Sequence, residues 1–207
     1  MNGSDHYFIT GIGTEVGKTI TSAILTEKFK VNYWKPIQAG DLDFTDSMKV
    51  KSLIENRFSI IFPEQVLLKN PFSPHKAADL EDYKIILKNF IIPKSTKPII
   101  CEGAGGLMAP LNFSETILDL ISYLGFRIIL VSKHYLGSIN HTLLTLSKIK
   151  EVGLNLKGII FNGDEDSYSE KFIIENSGAT FLGRIPFLVE LNPLEIKKAG
   201  ENLQFAI

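Results

Sequence analysis

The stretch Gly11-Ile12-Gly13-Thr14-Glu15-Val16-Gly17-Lys18-Thr19 constrains this chain more than any other. It follows the apolar run Tyr7-Phe8-Ile9 and precedes Ile20 to Phe29, where Ile20, Ala23, Ile24 and Leu25 recur at helical spacing. Strand, glycine-rich turn and helix in that order point backbone N–H groups and the positive end of a helix at one place, which suits a phosphate chain. Lys18 then reaches the terminal phosphates, and the Thr19 hydroxyl is placed to ligate Mg²⁺. The strict G-x-x-x-x-G-K-[ST] pattern is missed, because Ile12 stands where its first glycine belongs and Gly11 lies one residue early. A glycine-rich turn alone often marks only a tight loop; the flanking strand and helix patterns make nucleotide binding the expectation.

Bulk properties narrow the class. At 207 residues the chain can bury a real core as one domain, and 22 basic against 23 acidic residues with no basic block offer nothing to a nucleic acid. The single Cys101 excludes an intramolecular disulfide and fits a reducing cytoplasm; beside Ile99 and Ile100 it reads as a buried structural residue. No basic-then-apolar leader opens the sequence, and no uncharged apolar run reaches the length of a membrane span. The expectation is a soluble cytoplasmic protein without membrane or nucleic-acid partners.

Strand and helix signals alternate along the chain. A second strand, Val31 to Trp34, exits at Lys35 into a loop marked by Pro36 and Gly40; Thr45-Asp46 opens a helix to Ile54; Asn70 to His75 is a proline-rich turn and Leu80 to Ile91 a helix. Strands then fall at Ile99–Glu102, Arg127–Val131, Gly158–Phe161 and Thr180–Leu182, with helices at Thr116–Leu124, Ser138–Lys150 and Ser169–Ser177 between them. Continuous apolar strands alternating with helices predict an α/β fold: one domain, residues 1–207, with a P-loop NTPase-like parallel sheet covered by helices on both faces. In such sheets ligands bind at the carboxyl ends of strands. Thr10 to Thr19, Lys35, Glu102 to Gly106, Ser132 to Ser138 and Asn162-Gly163 all follow strands and should converge.

Mg²⁺ takes hard oxygen ligands, so carboxylates at strand ends should join Thr19. Glu102 closes a buried strand, where an acid needs a partner, and Asp46 is the second candidate, equally readable as a helix N-cap. Lys35, a surface charge if taken singly, would add a second ammonium beside Lys18 and favour phosphoryl transfer to an anionic acceptor. The residues alone lead to an ATP-dependent enzyme of P-loop type.

The phosphate loop, Lys35-Pro36-Ile37-Gln38-Ala39-Gly40, Thr45-Asp46-Ser47, Ser73-Pro74-His75, Glu102-Gly103-Ala104-Gly105-Gly106, Gly137-Ser138-Ile139-Asn140-His141 and Gly183-Arg184-Ile185-Pro186, in that order, resemble the dethiobiotin synthetase family over nearly the whole chain. The resemblance implies that an amine of 7,8-diaminopelargonic acid takes up CO₂ as a carbamate, that ATP phosphorylates it to a carbamic-phosphoric anhydride, and that the second amine closes the ureido ring of dethiobiotin, releasing ADP and phosphate. It implies catalytic Lys35, Lys18 and Thr14, and a metal site of Thr19, Asp46 and Glu102. Around ATP it implies Gly13, Thr14, Glu15, Val16, Gly17, Lys18, Thr19, Ile20, Asp46, Glu102, Gly103, Ala104 and Gly105. Asn162 and Gly163 would meet the adenine edge, and Pro186, Phe187 and Leu188 would wall the base. The resemblance further implies a homodimer, in which the substrate meets Ala39 of one subunit and its carboxylate lies at the partner's helix N-terminus, at Gly137, Ser138 and Asn140. An ordinary capped helix there is the competing reading.

Two departures from the family stand out. Ala39 replaces the usual Ser or Thr whose hydroxyl faces the substrate, a contact that Gln38 or a water would have to supply, and Gly13 replaces an acidic residue found in some members. Three rivals remain open. Amide-forming ligases of cobalamin synthesis share the loop but carry a glutamine-hydrolysing domain for which this chain is too short. Nucleotide-switched partition ATPases act through protein partners and membranes and tend to carry a second loop lysine, where Gly13 stands here. A degenerate ATP binder would not be expected to keep Lys18, Thr19, Lys35, Asp46 and Glu102 together.

Overall fold

A computed structural model describes residues 6–207; the opening residues, on which the expectation of no leader rests, lie outside the described part. In chain order the elements are β1 (Tyr7–Gly11), α1 (Lys18–Phe29), β2 (Asn32–Trp34), β3 (Ile37–Ala39), α2 (Asp46–Leu53), β4 (Ile61–Phe62), β5 (Val66–Leu68), α3 (Pro74–Leu80), β6 (Ile99–Gly106), α4 (Ile117–Leu124), β7 (Arg127–Lys133), α5 (Ser138–Glu151), β8 (Leu156–Asn162), α6 (Ser167–Ser177), β9 (Phe181–Ile185) and α7 (Pro193–Glu201). Seven strands form one parallel sheet in the order β4-β2-β6-β1-β7-β8-β9.

Period-two alternation in buried strands sends neighbouring side chains to opposite layers. Tyr7 and Ile9 pack with Ile24 of α1, Val50 of α2 and Ile196 of α7, while Phe8 turns the other way towards Leu120 and Ile121 of α4. Further along that second face Leu130, Ile159 and Phe161 meet Leu146 of α5 and Ile173 of α6. Strand β1 lies between β6 and β7, where the winding reverses, so its exit loop opens into the crevice that open α/β sheets use for ligands. Cys101 and the sole tryptophan, Trp34, are wholly buried on the α4 face.

The sequence expectations fail in the middle section. The loop expected at Lys35 to Gly40 contains β3, which pairs with β5 in a separate two-stranded sheet; Pro36 has no N–H for the main ladder, and its carbonyl instead accepts from Val66 N at 3.0 Å. The helix expected over Leu80 to Ile91 is displaced. α3 starts inside the expected turn, with Pro74 in its first turn, and ends at Leu80. Asp82 adopts a left-handed φ of 50°, and the Glu81 carboxylate turns back to accept from Lys69 N at 2.7 Å and Asn70 N at 3.1 Å, leaving only a 3₁₀ turn at Leu87–Asn89. α7 went unforeseen although its cap is legible: the Asn192 side chain accepts from Glu195 N, and Pro193 opens the helix.

The chain end returns to the sheet. Leu203 bridges antiparallel to Gly183, and Gln204 N donates to Leu182 O at 3.0 Å along the outer edge of β9. Gly183 sits at φ +135°, and a Cβ there would lie 2.6 Å from Asn202 O, so only glycine admits this approach. Among the described residues no helix is long and apolar enough to cross a membrane.

Candidate active site

The loop after β1 wraps towards the start of α1. Gly17 caps that helix at φ 95°, the left-handed region, and a Cβ on it would overlap the Asn162 carboxamide. Asn162 closes β8 and donates Nδ2–H to Val16 O at 2.9 Å, tying the loop to the next strand end. Lys18 curls back with Nζ 2.9 Å from Gly13 O, so its ammonium lies inside the loop. Burial lowers its pKa to about 8, Lys35 pushing the same way while Glu102 and Asp46 oppose.

Beside the loop lies a charge cluster built from three elements. Lys35 follows β2, Glu102 lies in β6 and Asp46 begins α2; Lys35 Nζ is 3.1 Å from Glu102 Oε1 and 2.5 Å from Asp46 Oδ2. Lys35 and Glu102 are buried, and Asp46 is partly open to the cleft. Asp46 is free for this role because Thr45 is the N-cap, its side chain accepting from Met48 N at 3.3 Å. Burial alone would lower the Lys35 pKa, but the two carboxylates outweigh it and raise it above 10.5. Burial likewise pushes Asp46 up, and Lys35 with the Thr19 hydroxyl holds it below 3.8.

Thr19 Oγ1 lies 2.8 Å from Glu102 Oε1 and 3.1 Å from Asp46 Oδ1. A hydroxyl has one proton and can donate to only one of these carboxylates at a time. These three converging hard oxygens, of which Glu102 Oε1 also accepts from Lys35 Nζ at 3.1 Å, fit a small divalent cation. Among the described residues no group of three or more His, Cys, Asp or Glu could hold a metal, so such an ion would complete its shell with water and phosphate oxygens, the habit of Mg²⁺.

A cleft of about 1140 Å³ opens over this cluster, lined by Gly13, Thr14, Glu15, Gly17, Lys18, Thr19, Ile20, Lys35, Ala39, Asp46 and Glu102 to Gly106. Val16 is buried beneath it. The remaining expected residues do not line it: Asn162 ends β8 and Gly163 follows it, Pro186, Phe187 and Leu188 follow β9 with Phe187 exposed, and Gly137, Ser138 and Asn140 start α5. Later in α5, Leu144, Thr145 and Lys148 do reach the cleft; sequence reasoning missed them, their signal being one helical stripe. Leu136, beside the α5 N-terminus, is fully exposed.

The contacts of two further residues bear on their roles. The Gln38 carboxamide lines the cleft and is held at both ends, Nε2 donating to Gly40 O at 2.9 Å and Oε1 accepting from Asp46 N at 3.2 Å, with one N–H and one lone pair left over. His75 pairs with Ser73 Oγ at 3.0 Å and meets the Phe113 ring edge-on, a packing role. Tyr33, unforeseen from the sequence, is fully buried and donates its hydroxyl to Glu102 Oε2 at 2.9 Å; burial, then Glu102, pushes its pKa well above 10.0.

Residues 5–195 match the family model described as an AAA domain. The chain is 48% identical over 198 residues to the ATP-dependent dethiobiotin synthetase BioD of Christiangramia forsetii, covering 96% of this chain and 95% of that one. It is 46% identical over 173 residues to the BioD of Cytophaga hutchinsonii, covering 83% and 84%, and 37% identical over 193 residues to that of Agrobacterium fabrum, covering 93% and 91%. Among solved structures it resembles a putative plasmid partition protein of Borrelia burgdorferi bound to AMPPNP, with TM-score 0.58, 16% identity and coverage of 96% and 95%. The septum site-determining protein MinD of Pyrococcus horikoshii, complexed with Mg-ADP, aligns with TM-score 0.52 at 15% identity over 96% and 95% of the two chains. At such identity these likenesses speak for the fold alone.

Proposed function

The chain belongs to the family of ATP-dependent dethiobiotin synthetases and is an ATP-dependent ligase of that activity; we propose that Lys35, Lys18 and the Thr19–Asp46–Glu102 cluster carry its chemistry. The observation that carries the proposal is Lys35, buried at a strand end between two carboxylates and directly beside the phosphate loop. Carbamate formation on diaminopelargonic acid puts a new anion next to a triphosphate, and two ammonium groups at one point offset that repulsion as the γ-phosphoryl group moves across. Lys35 faces the carbamate and the bridging oxygens, Lys18 releases Gly13 O to take the β- and γ-phosphates, and the exposed Thr14 hydroxyl adds a hydrogen bond from the loop. Thr19, Asp46 and Glu102 would hold Mg²⁺, which when bound draws phosphate oxygens together and offsets their charge. Phosphorylation turns the carbamate oxygen into a good leaving group, and attack by the second amine closes the ring.

The nucleotide enters over Gly13 to Ile20 and Glu102 to Gly105. Its base extends towards Gly163 and Asn162, whose carboxamide keeps a second N–H for a polar ring edge, and towards Pro186, Phe187 and Leu188. The substrate lies along Ala39, with its carboxylate at Gly137, Ser138 and Asn140 of a second subunit; exposed Leu136 next to that helix start, and the absence of these three residues from the lining of their own cleft, support a homodimer whose sites span the interface. We read residues 1–207 as one domain working in the cytoplasm.

The test is phosphate release from MgATP and bicarbonate, with and without diaminopelargonic acid, with the product identified by mass. Release that requires the diamine and yields dethiobiotin is the expected result. Release without the diamine would leave the phosphate loop standing but overturn this assignment of acceptor and site.

A further inference from the structure

The reach of Tyr33 across the sheet gives it a role that its place in the core does not require. It stands opposite Ile100 in the β2–β6 register, and Glu102 is the diagonal neighbour two residues further along the same face. The aromatic side chain bridges that offset, its hydroxyl reaching the Glu102 carboxylate. The ring therefore lies along β6 and delivers its hydroxyl to Glu102 Oε2 at 2.9 Å, while Oε1 faces Thr19 at 2.8 Å and Lys35 at 3.1 Å. The two carboxylate oxygens are thus divided, one held inside the core and one presented to the cluster.

We propose that Tyr33 is a positioning residue that makes Glu102 a one-oxygen ligand, so that the site selects Mg²⁺ over Ca²⁺. The proposal rests on the reading of Glu102 as a metal ligand. Mg²⁺ demands near-octahedral geometry with few carboxylates, whereas the larger Ca²⁺ takes more oxygens and readily accepts both atoms of one carboxylate. A carboxylate oxygen already bound to a buried hydroxyl is lost to the larger ion at the cost of a charge-assisted hydrogen bond, and Tyr33, whose ring is locked in the core, cannot swing aside to release it.

Tyr33→Phe keeps the ring and removes only the hydroxyl. Unfolding midpoints of wild type and variant would be followed with ADP present while MgCl₂ or CaCl₂ is titrated, each ion's half-saturating concentration being read from the shift. The ratio of calcium to magnesium affinity should rise about tenfold in the variant, the worth of one such hydrogen bond. A purely structural role would lower the midpoint of the free protein and leave that ratio unchanged, and an unchanged ratio overturns the proposal. Wild-type crystals grown with ADP and Ca²⁺ decide the matter independently of how the variant folds: Glu102 should touch the ion through one oxygen, with Tyr33 still on the other. An ion held by both oxygens would overturn the role of Tyr33 alone. An ion with no contact to Glu102 would overturn the metal assignment itself, and the proposal with it.

Discussion

Replacing Lys35 with methionine removes the ammonium from between two carboxylates while keeping an unbranched side chain of similar length. Breaking a buried ion pair on one side costs about 3–5 kcal/mol, because a charge is left without its partner. The lower end applies here, since the Asp46 side chain is 30% exposed and water can reach it. A loss of about 3 kcal/mol should lower the unfolding midpoint by roughly 6–12 °C in a chain of this length. The pH dependence follows from the two shifts. Lys35, raised above 10.5, contributes stability that is complete below that value and is lost as pH rises through its folded pKa. Asp46, held below 3.8, contributes stability that is complete above 3.8 and is lost as pH falls through its folded pKa. The difference between wild type and Lys35→Met should therefore be flat between about pH 5 and 9 and close in acid. Thermal unfolding in EDTA across that range measures it, and phosphate release at neutral pH should fall by about 10²–10³ in parallel. A midpoint shift below about 2 °C, or one that persists unchanged in acid, would refute the view that Lys35 holds these carboxylates.

Lys18, with a folded pKa of about 8 against 10.5, makes the free protein gain stability as pH rises between those values, and phosphates that restore its charge should draw in a proton when ADP binds at about pH 8.5. Calorimetry in two buffers of different ionisation enthalpy counts that proton, and none taken up would mean that Lys18 does not meet the phosphates. Gly17→Ala combines a left-handed alanine with displacement of the Asn162 amide and should cost about 2–3 kcal/mol in chemical denaturation; a neutral effect would show that the loop is not clamped. Mixing Lys35→Met with Asn140→Asp protein should recover about a quarter of wild-type turnover through hybrid dimers with one intact site, and a monomer by sedimentation would rule the shared site out.

Sequence legibility followed the source of each signal. The phosphate loop, the parallel sheet and the strand ends bearing Lys35 and Asn162 were readable because glycines and apolar runs report directly on local backbone, whereas Glu102, expected to close its strand, lies inside β6, which continues to Gly106. The middle section was not, because its decisive contacts are tertiary: Glu81 bonding back to Asn70 ends α3, and β3 exists only by pairing with β5. Asp46 could not be told from a cap until Thr45 was seen to be the cap. Tyr33 looked like one more apolar strand residue, since its link to Glu102 depends on the β2–β6 register, which no local pattern encodes. The bonds that orient the Gln38 carboxamide, to Gly40 and to Asp46, are likewise visible only in the folded chain.

The return of Leu203 and Gln204 along β9 has a consequence for how copies of this chain can meet. An open parallel sheet ends in two rows of unpaired backbone groups that invite strands from other molecules. One row here is covered by the chain's own last residues, through an approach only Gly183 allows, and the other belongs to β4, too short at Ile61–Phe62 to template a partner. Strand-to-strand stacking into fibrils is thereby discouraged at both margins of the seven-stranded sheet.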